Sequence, residues 1–119
     1  MADVLLVDDE DLVRKVVRVI LEAEGHRVTE VADGPGALAA VAADHHDAIV
    51  LDLMIPGLDG YEVCRRVKAA NAGTKILVLT AVPAEESQRR AEEAGADEVM
   101  MKPFSALKLL ERLSALLGS

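Results

Sequence analysis

Aromatic side chains are scarce: one tyrosine, one phenylalanine and no tryptophan in 119 residues, which removes the stacking platforms that single-strand nucleic-acid binders use. Positive charge is scarce as well. Thirteen Lys and Arg face 21 Asp and Glu, a formal net charge of −8 that repels phosphate backbones and anionic membranes. Direct nucleic-acid binding and membrane binding are therefore not expected. The one cysteine, Cys64, allows neither an intramolecular disulfide nor a cysteine zinc cluster. No apolar run is long enough to span a bilayer. The opening MADVLLVDDED has no basic region and soon turns acidic, unlike a signal peptide, so a cytoplasmic location is expected. Gly/Ser/Pro-rich linkers, repeats and low-complexity tracts are absent too. With 51% hydrophobic residues there is apolar surface for one core, and residues 1–119 are expected to form a single domain.

What is present is a regular alternation of two kinds of segment. Val4 to Val7, His26 to Val31, Ala48 to Leu53, Lys75 to Leu79 and Glu98 to Met101 are short apolar runs bounded by Asp, Gly or Pro; they predict five strands. Helical periodicity fills the gaps. Val13, Val16, Val17, Ile20 and Leu21 follow the i, i+3, i+4, i+7, i+8 pattern, and Leu109, Leu110, Leu113, Leu116 and Leu117 repeat it near the end. Residues 35–43 open on Pro35, as a helix can in its first turn, and Leu58 to Ala70 carries Val63, Cys64 and Val67 on one stripe. From Ala84 to Ala94 only alanines are apolar, so that helix should grip the core weakly and be the most mobile. Strands apolar on both faces, alternating with helices, predict an α/β fold: a parallel sheet covered on both sides, with ligands bound beyond the carboxyl ends of its strands.

Those strand ends carry Asp8 and Asp9 after the first, Asp52 at the third, Thr80 after the fourth and Lys102 after the fifth. Three carboxylates converging on one edge must take up a proton or a cation. An oxygen-only donor set suits Mg²⁺, with Mn²⁺ as the other candidate, rather than zinc. A carboxylate beside such an ion, flanked by a hydroxyl and an ammonium, is equipped to accept a phosphoryl group, because transfer needs in-line positioning and charge neutralisation. Asp52 is the candidate acceptor. The plainer alternatives are that Asp8 and Asp9 cap the following helix, that Thr80 is a strand residue and that Lys102 is a solvated charge. His26, His45 and His46 have no metal-ligand spacing and are expected at the surface. Cys64 is expected buried and inert, and Met100 and Met101 in the core, one of them facing the other side of the strand.

The segments VLLVDDE, DAIVLDLMIPGLDGYEVCRRV, ILVLTA and AEEAGADEVMMKPF, in this order and spacing, resemble the receiver domain of two-component response regulators over essentially the whole chain. The resemblance implies a flavodoxin-like (βα)5 doubly wound sheet with strand order 2-1-3-4-5. It implies that Asp52 is the phosphoacceptor, supplied by a sensor histidine kinase or a histidine phosphotransfer protein. Asp9 and Asp52 would ligate Mg²⁺ directly, with the Met54 backbone carbonyl, and Asp8 would act through water. Thr80 would turn toward the phosphoryl group and Lys102 would pair with it. The change would reach an unknown downstream effector, or an output domain missing from this chain, through the face made by the fourth helix, fifth strand and fifth helix. Such a domain catalyses only its own phosphorylation and dephosphorylation.

Departures from the family pattern matter. The fifth strand usually carries an aromatic residue that swings inward with the threonine, and here Val99 stands in its place. Lys108 stands where receivers of winged-helix transcription factors commonly have an acidic residue for a dimer salt bridge. Met54 and Val82, at the two positions that tune water access, are both apolar, which predicts slow loss of phosphate. Two other functions remain open. A pseudo-receiver would bind partners without phosphorylation, as the drifted Val99 would allow. An Asp-nucleophile phosphatase would want a second aspartate at position 54, which is Met; an FMN-binding flavodoxin would want a hydroxyl- and glycine-rich loop after the first strand, which is acidic.

Overall fold

The computed structural model describes residues 2–81 and 84–118; Val82 lies outside the described residues. Five strands and five helices alternate: β1 (Asp3–Val7), α1 (Asp11–Ala23), β2 (Arg27–Val31), α2 (Gly34–Ala43), β3 (Ala48–Asp52), α3 (Gly60–Ala70), β4 (Lys75–Thr80), α4 (Ala84–Glu93), β5 (Glu98–Met101) and α5 (Ala106–Leu116). The sheet is parallel throughout, in the order β2-β1-β3-β4-β5, as expected. Its register aligns Val7 with Leu51 and Asp52 with Leu79. The carboxyl ends of β1, β3 and β4 therefore reach one edge together.

The period of two in a strand sorts the apolar residues into two layers. Val4, Leu6, Val50, Leu77 and Leu79 point to one face and pack with Val17 and Leu21 of α1 and Leu109 and Leu113 of α5. Leu5, Val7, Ile49, Leu51, Ile76 and Val78 point to the other, against Ala37 of α2, Val63, Cys64 and Val67 of α3, and Ala91 of α4. β3 is buried at every position. It is the rigid centre of the sheet, and Asp52 is its last residue.

Several expectations are corrected. Val16 belongs to the apolar stripe of α1 by spacing but is 50% exposed, because the covered arc is narrower and centres on Val17 and Leu21. His46 is buried rather than on the surface: it lies where the chain enters β3, and its carbonyl accepts the Thr74 hydroxyl at 2.9 Å. His26 is half-buried, its Nδ1 accepting the Ala2 amide at 3.2 Å, whereas His45 is exposed, as expected. Met100 is in the core, but Met101, on the opposite face of β5, is exposed. The third helix starts at Gly60, after Leu58, because the Asp59 side chain accepts the Tyr61 amide and caps it there. β3 stops at Asp52, one residue short of Leu53.

Gly60 has a steric reason. A Cβ at this position would stand 2.7 Å from the Cα and carbonyl oxygen of Leu53, so α3 can begin against the chain leaving the β3 end only without a side chain there. Gly60→Ala is expected to destabilise the domain by about 1–3 kcal/mol, read from urea unfolding. Burial pushes the Cys64 thiol up to about 11. Cys64 should resist a thiol reagent at about pH 8 until the domain unfolds, and rapid labelling of the folded protein would contradict its packing.

Candidate functional site

The carboxyl edge of the sheet gathers the predicted acids around one ammonium. Lys102, just past β5, places Nζ 3.1 Å from Asp8 Oδ2 and 3.1 Å from Asp52 Oδ2. Glu10 Oε1 lies 3.8 Å from the same nitrogen. Asp8 and Asp52 are buried, while Asp9 and Glu10 are exposed. Ligand oxygens from Asp8, Asp9, Glu10 and Asp52 all lie within 4.8 Å of one another. Asp9, Glu10, Asp52, Met54, Ala81 and Lys102 line an open cavity of about 420 Å³ above them.

Local backbone geometry holds the carboxylates in place. The Asp8 side chain accepts the Glu10 amide at 2.9 Å, and the Asp8 carbonyl accepts the Arg14 guanidinium at 2.7 Å. Glu10, not Asp8 or Asp9, is the residue before α1, and it makes no side-chain cap. The helix-capping alternative for the two aspartates therefore fails. Asp52 Oδ1 accepts the Met54 amide at 3.0 Å, which leaves Oδ2 to Lys102. The Met54 side chain is 64% exposed.

Thr80 is fully buried at the end of β4, and its carbonyl accepts the Lys102 amide at 2.8 Å. The strand pairing thus places the hydroxyl residue and the lysine side by side. Val99 is partly buried and packs in the layer of α2, α3 and α4, beside Val78 in register. It is outside the acidic cavity. Glu10 is the member of the group not anticipated from sequence, although its place directly after Asp8-Asp9 was the available signal.

Burial raises the pKa of Asp52 above the ordinary aspartate range, and the Asp8 charge adds to the rise; the Met54 amide and Lys102 oppose it. For Lys102, burial works against the charged form, but the hydrogen bonds and charges of Asp8 and Asp52 outweigh it and hold its pKa above the usual lysine range. The ammonium stays charged and the acids remain short of positive charge. All the convergent side-chain donors in the acidic group are carboxylate oxygens, a set that fits a hard divalent ion such as Mg²⁺ or Mn²⁺ and not a soft one.

A parallel α/β sandwich with acids and a lysine converging at its carboxyl edge defines a class of phosphoryl-handling domains. The family model for the response regulator receiver domain matches residues 4–114. Among curated proteins, the transcriptional regulatory protein TcrA of Mycobacterium tuberculosis is 42% identical over 113 residues, covering 95% of this chain and 45% of TcrA. ResD of Bacillus subtilis is 41% identical over 114 residues, covering 96% of this chain and 47% of ResD. Among solved structures, the receiver domain of the Pseudomonas aeruginosa sensor histidine kinase PA1611, with a magnesium ion in its active-site cleft, superposes with a TM-score of 0.90 at 33% identity, covering 99% of this chain and 98% of that one. The chain belongs to the response regulator receiver domain family. It is a signalling domain of two-component systems and not a classical enzyme, and it spans about half the length of the curated relatives.

Lys102→Met would leave two buried carboxylates facing each other. Its expected cost is about 3 kcal/mol, read as a lower Tm. Added Mg²⁺ should recover more stability in the variant than in the parent, since a bound cation replaces the missing charge; equal responses would count against a shared charge balance.

Proposed function

We propose that Asp52 is the phosphoacceptor of this domain and that a sensor histidine kinase or a histidine phosphotransfer protein supplies the phosphoryl group. The observation that carries this is Lys102 Nζ at 3.1 Å from both Asp8 and Asp52 at the mouth of the acidic cavity. An Asp52 carboxylate oxygen attacks phosphorus in line, the P–N bond to a donor histidine protonated on its other ring nitrogen breaks, and the electron pair stays on the imidazole, which leaves neutral. Lys102 is placed to pair with an oxygen of the transferred group. Thr80, at the next strand end, supplies its hydroxyl to a second, and the amide of the turn after Asp52 offers a further donor. Asp9, Asp52 and the Met54 carbonyl, with Asp8 through water, would hold Mg²⁺ or Mn²⁺. Such an ion supplies the positive charge that offsets acids and phosphoryl oxygens together.

The phosphoryl dianion changes the charge at this edge, and the response passes to the α4, β5 and α5 face, where a downstream effector or an output domain elsewhere in the full protein would read it. Val99 offers no ring to swing inward, so Thr80 acts without the usual aromatic partner. Lys108 disfavours the common dimer salt bridge; on this face Glu98 pairs with Arg112 of its own chain at 2.8 Å. Residues 1–119 act as one domain, and its place is the cytoplasm. The only reaction it promotes is its own phosphorylation and dephosphorylation. Apolar Met54 and Val82 favour slow hydrolysis.

Intact mass after incubation with acetyl phosphate should show one phosphoryl adduct that requires Mg²⁺ and is absent from Asp52→Asn. No adduct, under conditions that label another receiver, would favour the pseudo-receiver instead. Donor turnover without an adduct would indicate a phosphatase.

A further inference from the structure

A second opening meets the acidic site from the side of α3 and α4. It encloses about 530 Å³, and its walls include Asp9, Met54, Asp59, Tyr61 and Arg90. Arg90 is the one cation among its lining residues, opposed by the carboxylates of Asp9 and Asp59. Its partner is unusual for this chain. Arg14, Arg18, Arg27, Arg65, Arg66 and Arg112 each pair with a carboxylate; the exposed Arg89 does not line this opening, whereas the Arg90 guanidinium lies over the Tyr61 ring, 4.1 Å from its centroid. Among the described residues it forms no ion pair.

A ring face locates a guanidinium without cancelling its charge, and it takes none of the five N–H donors in conventional hydrogen bonds. The charge and donors of Arg90 are therefore available in a groove that also reaches Asp9 and Met54 beside the acceptor. The other cation of the site, Lys102, is already shared between Asp8 and Asp52. In a domain of net charge −8, Arg90 is thus the cation lining this groove that is left without a carboxylate partner among the described residues.

We infer that Arg90, held by Tyr61, is a specificity residue for direct small-molecule phosphorylation, selecting acyl phosphates over phosphoramidate-type donors. The inference rests on Asp52 as acceptor. With an acyl phosphate, the bond from phosphorus to Asp52 forms as the bridging P–O bond breaks, and the electron pair leaves on a carboxylate, an anion that the guanidinium can meet. With phosphoramidate, the P–N bond breaks and the nitrogen takes a proton to leave as neutral ammonia, which offers Arg90 no charge. The anion appears only as the P–O bond breaks, so the discrimination is made in the transition state and belongs to the maximal rate more than to donor capture.

The experiment follows Mg²⁺-dependent labelling by intact mass, with acetyl phosphate and with phosphoramidate, for the parent, Arg90→Ala, Arg90→Lys and Tyr61→Leu, each first shown folded by circular dichroism. Arg90→Ala should lower the acetyl phosphate rate about fivefold, through a lower maximal rate with little change in the half-saturation concentration, and leave the phosphoramidate rate unchanged. Arg90→Lys should retain most of the parent rate, and Tyr61→Leu should fall between. The difference between donors should shrink as ionic strength rises from about 0.05 M to about 0.5 M. Equal losses with both donors, no loss with either, or a lysine variant as slow as the alanine variant would each overturn the assignment. A parent labelled at Asp52 with an unaffected Arg90→Ala defeats this inference alone; a parent that neither donor labels defeats the phosphoacceptor role and this inference with it.

Discussion

Two buried carboxylates at adjoining strand ends share one ammonium, and the site is built around that shortage of positive charge. Asp8 and Asp52 are delivered to the same edge by the parallel register of β1 and β3, and Lys102 reaches both from the end of β5. One positive charge against two buried acids, with Asp9 and Glu10 close by, leaves a deficit. A divalent cation would relieve it, and the proposed phosphoryl group on Asp52 would alter it again. The same imbalance thus governs the stability of this edge and its chemistry, which is why neutral substitutions there should change both.

The rest of the fold divides between parts that resist change and a part that does not. β1 and β3 are covered on both faces, and α1 and α5 anchor themselves with Val17, Leu21, Leu109 and Leu113. α4 holds on differently. Among its described side chains it buries only Ser87 and Ala91, so displacing it would expose little apolar surface. The helix adjoining the site is thus held by small side chains alone among its described buried residues. The expectation from its alanine-only apolar content agrees with this packing, since small side chains bring little area to a contact.

The strands and the strand-end acids were legible because both are encoded locally. Short β-branched runs announce buried parallel strands, and a polar residue where such a run stops stands at the sheet edge whatever the tertiary details. Features set by neighbours were not legible. Val16 follows the helical period but faces water, because the width of the covered arc depends on what packs against α1. His46 looks like a turn residue, yet the approach of Thr74 from the start of β4 encloses it. Glu10 could be seen in the sequence, but its distance from Lys102 could not. The contact of Arg90 with Tyr61 joins residues 29 positions apart on different helices, and no local pattern marks it.

The scarcity of aromatics has an optical consequence. With no tryptophan and one tyrosine, nearly all the near-ultraviolet absorbance and emission of this domain comes from the ring that Arg90 covers. Any displacement of α4 relative to α3 changes the surroundings of that one chromophore. The unmodified protein thus carries its own reporter at the junction of α4 with the edge of the acidic site, and no dye or engineered tryptophan is needed to follow that junction.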